Sequence, residues 1–99
     1  MFVKIYSYCL KSKDLKAWKV INSAATKKYK KAGLIKSARL LTKEGKKVQV
    51  IEIDFYTSKK SFNAAAKTLK SDKELERLFK EFLKIAPKNK VTENELEVN

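Results

Sequence analysis

The chain has 99 residues, with 24 Lys and Arg against 11 Asp and Glu, which gives a formal net charge of +13. This length corresponds to one domain (residues 1–99), and an apolar content of 43% is enough to bury a core, which excludes general disorder. One Cys and no His exclude an intramolecular disulfide and argue against zinc or haem, so we expect neither metal nor cofactor.

The N-terminal third of the sequence predicts a strand followed by a helix. Residues 2–10 alternate like a strand and are rich in β-branched and aromatic residues. From Leu15 to about residue 31 the apolar residues recur with a period of 3.6, which predicts a helix. Either Ser12 or Asp14 can cap this helix, and Gly33 is its natural end.

Residues 34–42 and 48–56 are predicted to form a β-hairpin. Residues 43–46 form its turn, because Gly45 can adopt the positive φ that a tight turn requires. The second strand places an apolar set on one side, and we expect this side to face the helices: Gln49, Ile51, Ile53 and Phe55. Cys9 of the first strand is expected on the same side as a buried, inert thiol.

The C-terminal half predicts two further helices and a last strand. A helix begins at residues 57–58, and a break is expected near Ser71, where residues 71–74 (Ser-Asp-Lys-Glu) fit a capping box. The next helix should run to about Ile85, and Pro87 ends it. Residues 91–98 contain the last strand.

The order of these elements is βαββαβ, which predicts an α+β fold of the ferredoxin-like type. Right-handed crossovers then give a four-stranded antiparallel sheet of order 4-1-3-2, with the helices on one side. The other side is predicted to be open and to form a homodimer interface. The residues expected there are Lys4, Tyr6, Tyr8, Arg39, Glu52, Asp54 and Tyr56.

Two interpretations of Glu52 and Asp54 follow from this placement. They could form an ionic network with Lys4 and Arg39 across the dimer interface, where such pairs specify register more than stability. They could also form a carboxylate pair with perturbed pKa values for general acid–base chemistry.

Four other residues are candidates for a ligand pocket: Trp18, Asn22, Tyr29 and Phe62. Trp18 lies on the apolar stripe of the first helix, so it is either a core residue or the wall of a pocket. Asn22 lies near the edge of that stripe and needs a partner, which is either the backbone or a ligand. Tyr29 is expected to span core and solvent.

The positive charge is concentrated in residues 1–50, which hold 14 basic and 2 acidic residues. One interpretation is a Lys-rich, His-free composition typical of proteins from hot environments. The other is an anion-binding surface on the first helix, formed by Lys16, Lys19, Lys27, Lys30 and Lys31. No apolar run approaches the roughly 20 residues of a membrane span. We therefore expect a cytoplasmic protein without a membrane partner.

A short first strand leads into a long helix that carries an early Trp18 and ends on residues 29–33 (Tyr-Lys-Lys-Ala-Gly). A strand–Gly turn–strand hairpin follows, then residues 61–79 (SFNAAAKTLKSDKELERLF) and a last strand. In this order, over nearly the whole chain, the sequence resembles the dimeric α+β barrel superfamily. That superfamily includes small antibiotic-biosynthesis-type monooxygenases, stress-responsive barrel proteins and NIPSNAP-like proteins.

The resemblance implies a homodimer in which two sheets pack their open faces together, and a small-molecule cavity between sheet and helices. Haem-degrading members use a His ligand that this chain lacks. Cofactor-independent monooxygenases of the superfamily use Asn, Trp and Arg around an aromatic substrate. The same residue types occur here at Trp18, Asn22, Arg39 and Asn63, but none matches a motif position, so no catalytic residue is assigned.

Residues 45–69 superficially follow the RNA-recognition motif, whose stacking positions are aromatic. Val50 and Glu52 occupy those positions here, which argues against a close relative of the RNA-recognition motif. Tyr6 and Tyr8 leave open a weaker form of RNA binding, in which bases stack on the face of the sheet. The resemblance favours a small-molecule-binding dimeric barrel protein, for which a relative of the cofactor-independent monooxygenases is one form, and it leaves open whether the protein is an enzyme. The alternative is a non-enzymatic, sequence-nonspecific nucleic-acid-binding protein that uses its Lys-rich surface. A purely structural interaction protein is compatible with the same sequence.

Overall fold

The computed structural model describes residues 1–87 and 90–98. Within these residues the elements follow the predicted order. Their bounds are β1 (Phe2–Lys11), α1 (Leu15–Ala32), β2 (Lys36–Glu44), β3 (Lys47–Tyr56), α2 (Lys59–Leu69), α3 (Lys73–Ile85) and β4 (Thr92–Glu97). A short 3-10 turn, Ser12–Asp14, joins β1 to α1.

The four strands form one sheet of order β2-β3-β1-β4, in which all neighbours are antiparallel. This is the predicted order, and it confirms the ferredoxin-like fold. No helix in the described part of the chain is long and apolar enough to cross a membrane.

The element ends show which local signals the chain uses. Gly33 and Gly45 adopt positive φ values of 132° and 60°, at the end of α1 and in the hairpin turn. The Ser58 hydroxyl caps α2 by accepting from the Ser61 amide over 3.1 Å. The prediction that Ser71 caps α3 is wrong, because the Asp72 carboxylate accepts from the Leu75 amide over 2.9 Å. The N-cap of α3 therefore lies one residue further along the chain than predicted. Asp is as favourable as Ser at an N-cap position.

The helices pack on the side of the sheet opposite to the predicted one. One core cluster joins Tyr8, Val48 and Val50 of the sheet to Trp18 of α1. The second joins Phe2, Leu34 and Tyr56 to Ala65 of α2. Strand alternation places the whole set predicted for the open face on this helix-covered face: Lys4, Tyr6, Tyr8, Arg39, Glu52, Asp54 and Tyr56.

The opposite side is the Ile-rich face, which carries Ile5, Ala38, Leu40, Ile51, Ile53, Phe55 and Leu96. Leu40 is 57% exposed and Leu96 is 54% exposed. Cys9 lies on this side and is exposed, so the prediction of a buried thiol is wrong.

The physical reason for the reversal is that both sides of the sheet carry large apolar side chains. The alternation identifies which residues share a side of the sheet. Apolarity does not predict which side the helices cover, because both carry large apolar side chains, Tyr, Phe and Val on one side and Ile on the other. The handedness of the crossovers, together with the phase of the pleat, decides which side the helices cover.

Candidate ligand-binding site

A cavity of about 590 Å³ lies between α1, α3 and the helix-covered face of the sheet. Small-molecule sites span roughly 300–1,000 Å³. Apolar wall residues come from both helices: Ile21, Ala25, Leu75, Leu78, Phe79, Phe82 and Leu83. The floor comes from the strands and is polar: Tyr6, Tyr8, Arg39, Glu52, Asp54, Tyr56 and Glu93. The cavity thus pairs an apolar wall with polar groups that can orient a molecule.

Glu52 lies in this floor with one carboxylate oxygen already engaged. The Tyr8 hydroxyl and the Asn22 amide nitrogen both donate to Oε1, the second over 2.7 Å. Oε2 has no hydrogen-bond partner among the described residues. Burial raises the pKa of Glu52, while the Tyr8 hydrogen bond and the charge of Arg39 oppose the rise. Such a carboxylate can accept a hydrogen bond or a proton from a bound molecule.

Trp18 supports Glu52 from behind the floor. Its indole nitrogen donates to the Tyr8 hydroxyl over 2.6 Å, and Tyr8 donates in turn to Glu52. Trp18 is only 3% exposed and belongs to the core, so of its two predicted roles the structure supports the core residue and not the wall of this cavity. Its effect on the site is to hold the Tyr8 hydroxyl in one orientation.

Asp54 lies on the same strand and the same side, beneath a group of tyrosines. It accepts a hydrogen bond from the Ser37 hydroxyl, and burial raises its pKa. Burial is also the main cause that raises the pKa of Tyr6, Tyr29 and Tyr56, and the charge of Asp54 adds to the rise in all three. These hydroxyls therefore stay protonated. None of them has a side-chain hydrogen-bond partner within the described residues, so they are available to a ligand.

Arg39 crosses from β2 toward α1. Its guanidinium donates to the Thr26 hydroxyl, which donates to the Asn22 backbone carbonyl over 2.7 Å. Arg39 is the cross-strand neighbour of Glu52. Its positive charge partly offsets the rise that burial causes in the pKa of Glu52 and of Asp54. It therefore keeps part of the negative charge in the floor compensated.

Lys4 and Phe62 do not line the cavity; Phe62 belongs to α2, and the Lys4 ammonium lies 5.2 Å from the centroid of its ring. Lys4 is buried and pairs with Glu93 and, at 3.7 Å, with Glu95 of β4. Within the described residues Lys4 makes no ion pair with Glu52 or Asp54, because its ammonium is engaged by Glu93 and Glu95. The Phe62 ring packs against the rings of Phe2 and Tyr56, with centroid distances of 5.4 Å and 5.1 Å. Phe62 therefore belongs to the core and not to the cavity lining.

The structure brings together two sets that the sequence had assigned to different places. Asn22 and Tyr29 were pocket candidates, whereas Tyr6, Glu52 and Asp54 were assigned to an interface, yet all line one cavity. The partner of Asn22 is the side chain of Glu52, which neither predicted alternative included. Apolar side chains of α3 also line the cavity, and their helical period does not by itself distinguish a core from a cavity wall.

No protein-family model matches this sequence, and no curated protein shows significant sequence similarity to it. Solved structures share its fold. SnoaB, a cofactor-independent oxygenase from Streptomyces nogalater, is similar with a TM-score of 0.72 and 7% identity over 99% of this chain and 93% of that chain. A candidate antibiotic biosynthesis monooxygenase from Nitrosomonas europaea has a TM-score of 0.74 and 11% identity, covering 99% and 98%. A dimeric ferredoxin-like protein from an uncultured marine organism has a TM-score of 0.71 and 19% identity, covering 98% and 94%. These structures confirm the fold that the resemblance implied.

Proposed function

We propose that this protein binds a small aromatic molecule that carries a hydroxyl group, in the cavity between α1, α3 and the sheet. The observation that carries the proposal is the free Oε2 of Glu52, a carboxylate with a raised pKa, in a floor that faces apolar walls. A phenolic hydroxyl can donate to that oxygen while its ring packs on Phe82 and Leu78. The free tyrosine hydroxyls offer further partners to other polar groups of the same molecule.

The catalytic form of this proposal is a cofactor-independent monooxygenase. Glu52 would take the phenolic proton on its free Oε2, and dioxygen would then oxidise the phenolate, with one oxygen atom becoming a quinone carbonyl of the ring and the other leaving as water. Asn22 and Arg39 would limit the negative charge that then develops near the floor. The similarity in fold to a cofactor-independent oxygenase supports this form.

We also propose that two copies pair through the Ile-rich face. That face exposes Leu40 and Leu96 and carries half-buried Ile and Phe side chains between them, and an apolar surface that no helix covers favours an interaction site. A second copy is the proposed occupant, because the similar marine protein is described as dimeric and has the same fold over nearly its whole length. The cavity lies on the other side of the sheet, so pairing leaves it accessible.

The binding proposal is tested with 1-naphthol and 1-methylnaphthalene, which have the same ring system but differ in the hydroxyl. We expect saturable binding of 1-naphthol at one site per chain, followed by its fluorescence, and weaker binding of 1-methylnaphthalene. Glu52→Gln should reduce the preference for the hydroxyl by about tenfold, since a hydrogen bond to a charged group contributes roughly 1.5–3 kcal/mol.

Ala25→Phe is the steric counterpart, because Ala25 lines the cavity wall from α1 and a larger side chain there fills the space. It should abolish binding of both probes. Val20→Phe is its matched control, since Val20 lies on the outer side of α1 and is 66% exposed. Equal binding of the two probes by the parent protein, or binding unchanged in Ala25→Phe, would refute the site. An oxygen electrode with 1-naphthol then tests the catalytic form.

A further inference from the structure

A second, shallower groove lies between α1 and β2, next to the ligand cavity. It has a volume of about 350 Å³ and is lined by Trp18, Lys19, Asn22, Ser23, Thr26, Lys27, Lys30 and Arg39. The residues from α1 recur at intervals of three and four, so they lie along one side of the helix. Arg39 reaches the groove from the sheet. It lines both the groove and the ligand cavity.

The groove concentrates positive charge from the lysines of α1, while the charge of Arg39 also acts on Glu52 and Asp54 in the cavity floor. It is lined by three Lys and one Arg, and none of its described lining residues is acidic. Within the described part of the chain, Lys19, Lys27 and Lys30 form no ion pair, whereas Lys28 on the other side of α1 pairs with Asp72 at 2.9 Å. Ser23 and Thr26 add hydroxyl groups between the lysines. Cations and hydroxyls are the groups that hold phosphate oxygens.

The Arg39 side chain is held at the groove by a hydrogen bond. Its guanidinium donates a hydrogen bond to the Thr26 hydroxyl, which orients the side chain toward α1. Its Nε is buried and has no hydrogen-bond partner in the described residues. A buried donor without a partner is costly in a folded protein, so Arg39 retains unused hydrogen-bonding capacity beside the groove.

We propose that this groove binds a multiply charged oxyanion of the phosphate or diphosphate class. A planar, preorganised guanidinium together with several flexible ammonium groups suits an anion with more than one charge better than a single carboxylate. The groove shares Asn22, Thr26 and Arg39 with the ligand cavity, but its three lysines do not line that cavity. It also differs from a nucleic-acid surface, because a small groove limits the anion to one or two phosphate groups.

The test is titration with inorganic pyrophosphate in about 0.15 M NaCl, where surface charges are screened beyond roughly 8 Å. Calorimetry gives the affinity, and amide chemical shifts give the location. We expect one saturable site per chain, with shifts concentrated at the groove residues of α1 and at Arg39. The double variant Lys27→Gln/Lys30→Gln should weaken binding by about tenfold or more, since two charge-assisted contacts are lost.

Lys16→Gln/Lys31→Gln is the matched control. It removes the same charge from exposed positions on the same helix that do not line the groove. We expect it to weaken pyrophosphate binding less than about threefold. Equal weakening by both double variants would overturn the proposal, because it would show attraction to the overall charge. Absence of saturable binding, or binding of single-stranded RNA that pyrophosphate does not displace, would also overturn it.

Discussion

Glu52 shows how one carboxylate can be both buried and available. Its Oε1 accepts from Tyr8 and Asn22, and this leaves Oε2 as the acceptor that a ligand can reach. Trp18 holds the Tyr8 hydroxyl, so the orientation of the carboxylate depends on a core residue that does not line the cavity. A change at Trp18 should therefore alter binding through the position of Tyr8.

The titration of Glu52 predicts a pH-dependent stability. Burial raises its pKa above the ordinary value of 4.5, so between pH 4.5 and the raised pKa the folded state binds more protons than the unfolded state. Stability then decreases as pH rises through this window. Glu52→Gln removes the titration and retains an acceptor for Tyr8. We expect the free energy of unfolding of the variant, relative to the parent protein, to increase from about pH 4 to pH 8.

Urea denaturation at intervals across that pH range measures this difference. Glu97→Gln removes one negative charge from an exposed position and is the matched control. A difference between Glu52→Gln and the parent that stays constant with pH would show that burial does not destabilise the charged form of Glu52.

At the scale of elements, α3 both lines the cavity and connects to α1. Its apolar side supplies most of the cavity wall, and its N-terminus is held by Asp72, which caps the helix and pairs with Lys28 of α1. The Leu75 amide is the first cause that lowers the pKa of Asp72, and Lys28 adds to it. This carboxylate therefore ties the cavity wall to α1, which forms the other side of the cavity.

Asp72→Ala should lower Tm by about 5 °C, because an N-cap is lost from a small domain. Asp72→Asn retains a capping oxygen and should recover most of this loss, since an ion pair near the protein surface contributes little. Thermal unfolding followed by circular dichroism provides the measurement. Ser71→Ala is the control, and a decrease in Tm equal to that of Asp72→Ala would show that Ser71 is the cap after all.

At the scale of the whole molecule, the sheet separates two surfaces with different chemistry. The helix-covered face carries the carboxylates and tyrosines, whereas the Ile-rich face carries half-buried and exposed apolar side chains. A disruption of the Ile-rich face should therefore change assembly and leave the cavity intact.

Ile53→Glu places a charge in the Ile-rich face, opposite Ile5 and Ala38 in the sheet register. We expect the parent protein to sediment as a dimer, and the variant as a single chain of 11.4 kDa, with the circular dichroism spectrum unchanged. Val20→Glu makes the same kind of change on the exposed outer side of α1 and should remain dimeric. A parent protein that sediments as one chain at about 100 μM would refute the dimer, since a standard interface is stable at that concentration.

The sequence by itself determined the elements, their order and which residues share a side of each strand. These follow from local properties: the periods of 2 and 3.6, the glycine turns and the capping residues. Thus Glu52, Asp54, Tyr6 and Tyr8 were placed together correctly. The shift of the α3 cap from Ser71 to Asp72 shows the limit of local signals, because adjacent residues can fill the same position.

Only the tertiary structure decided which side of the sheet the helices cover. Ile51, Ile53 and Phe55 form the more apolar set, yet the helices pack on Tyr8, Val48 and Val50. Apolarity does not distinguish two sides that both carry large side chains, whereas crossover handedness and pleat phase are properties of the whole chain path. The same choice turned the carboxylates from a predicted interface into the floor of a cavity, because α1 and α3 lie above them.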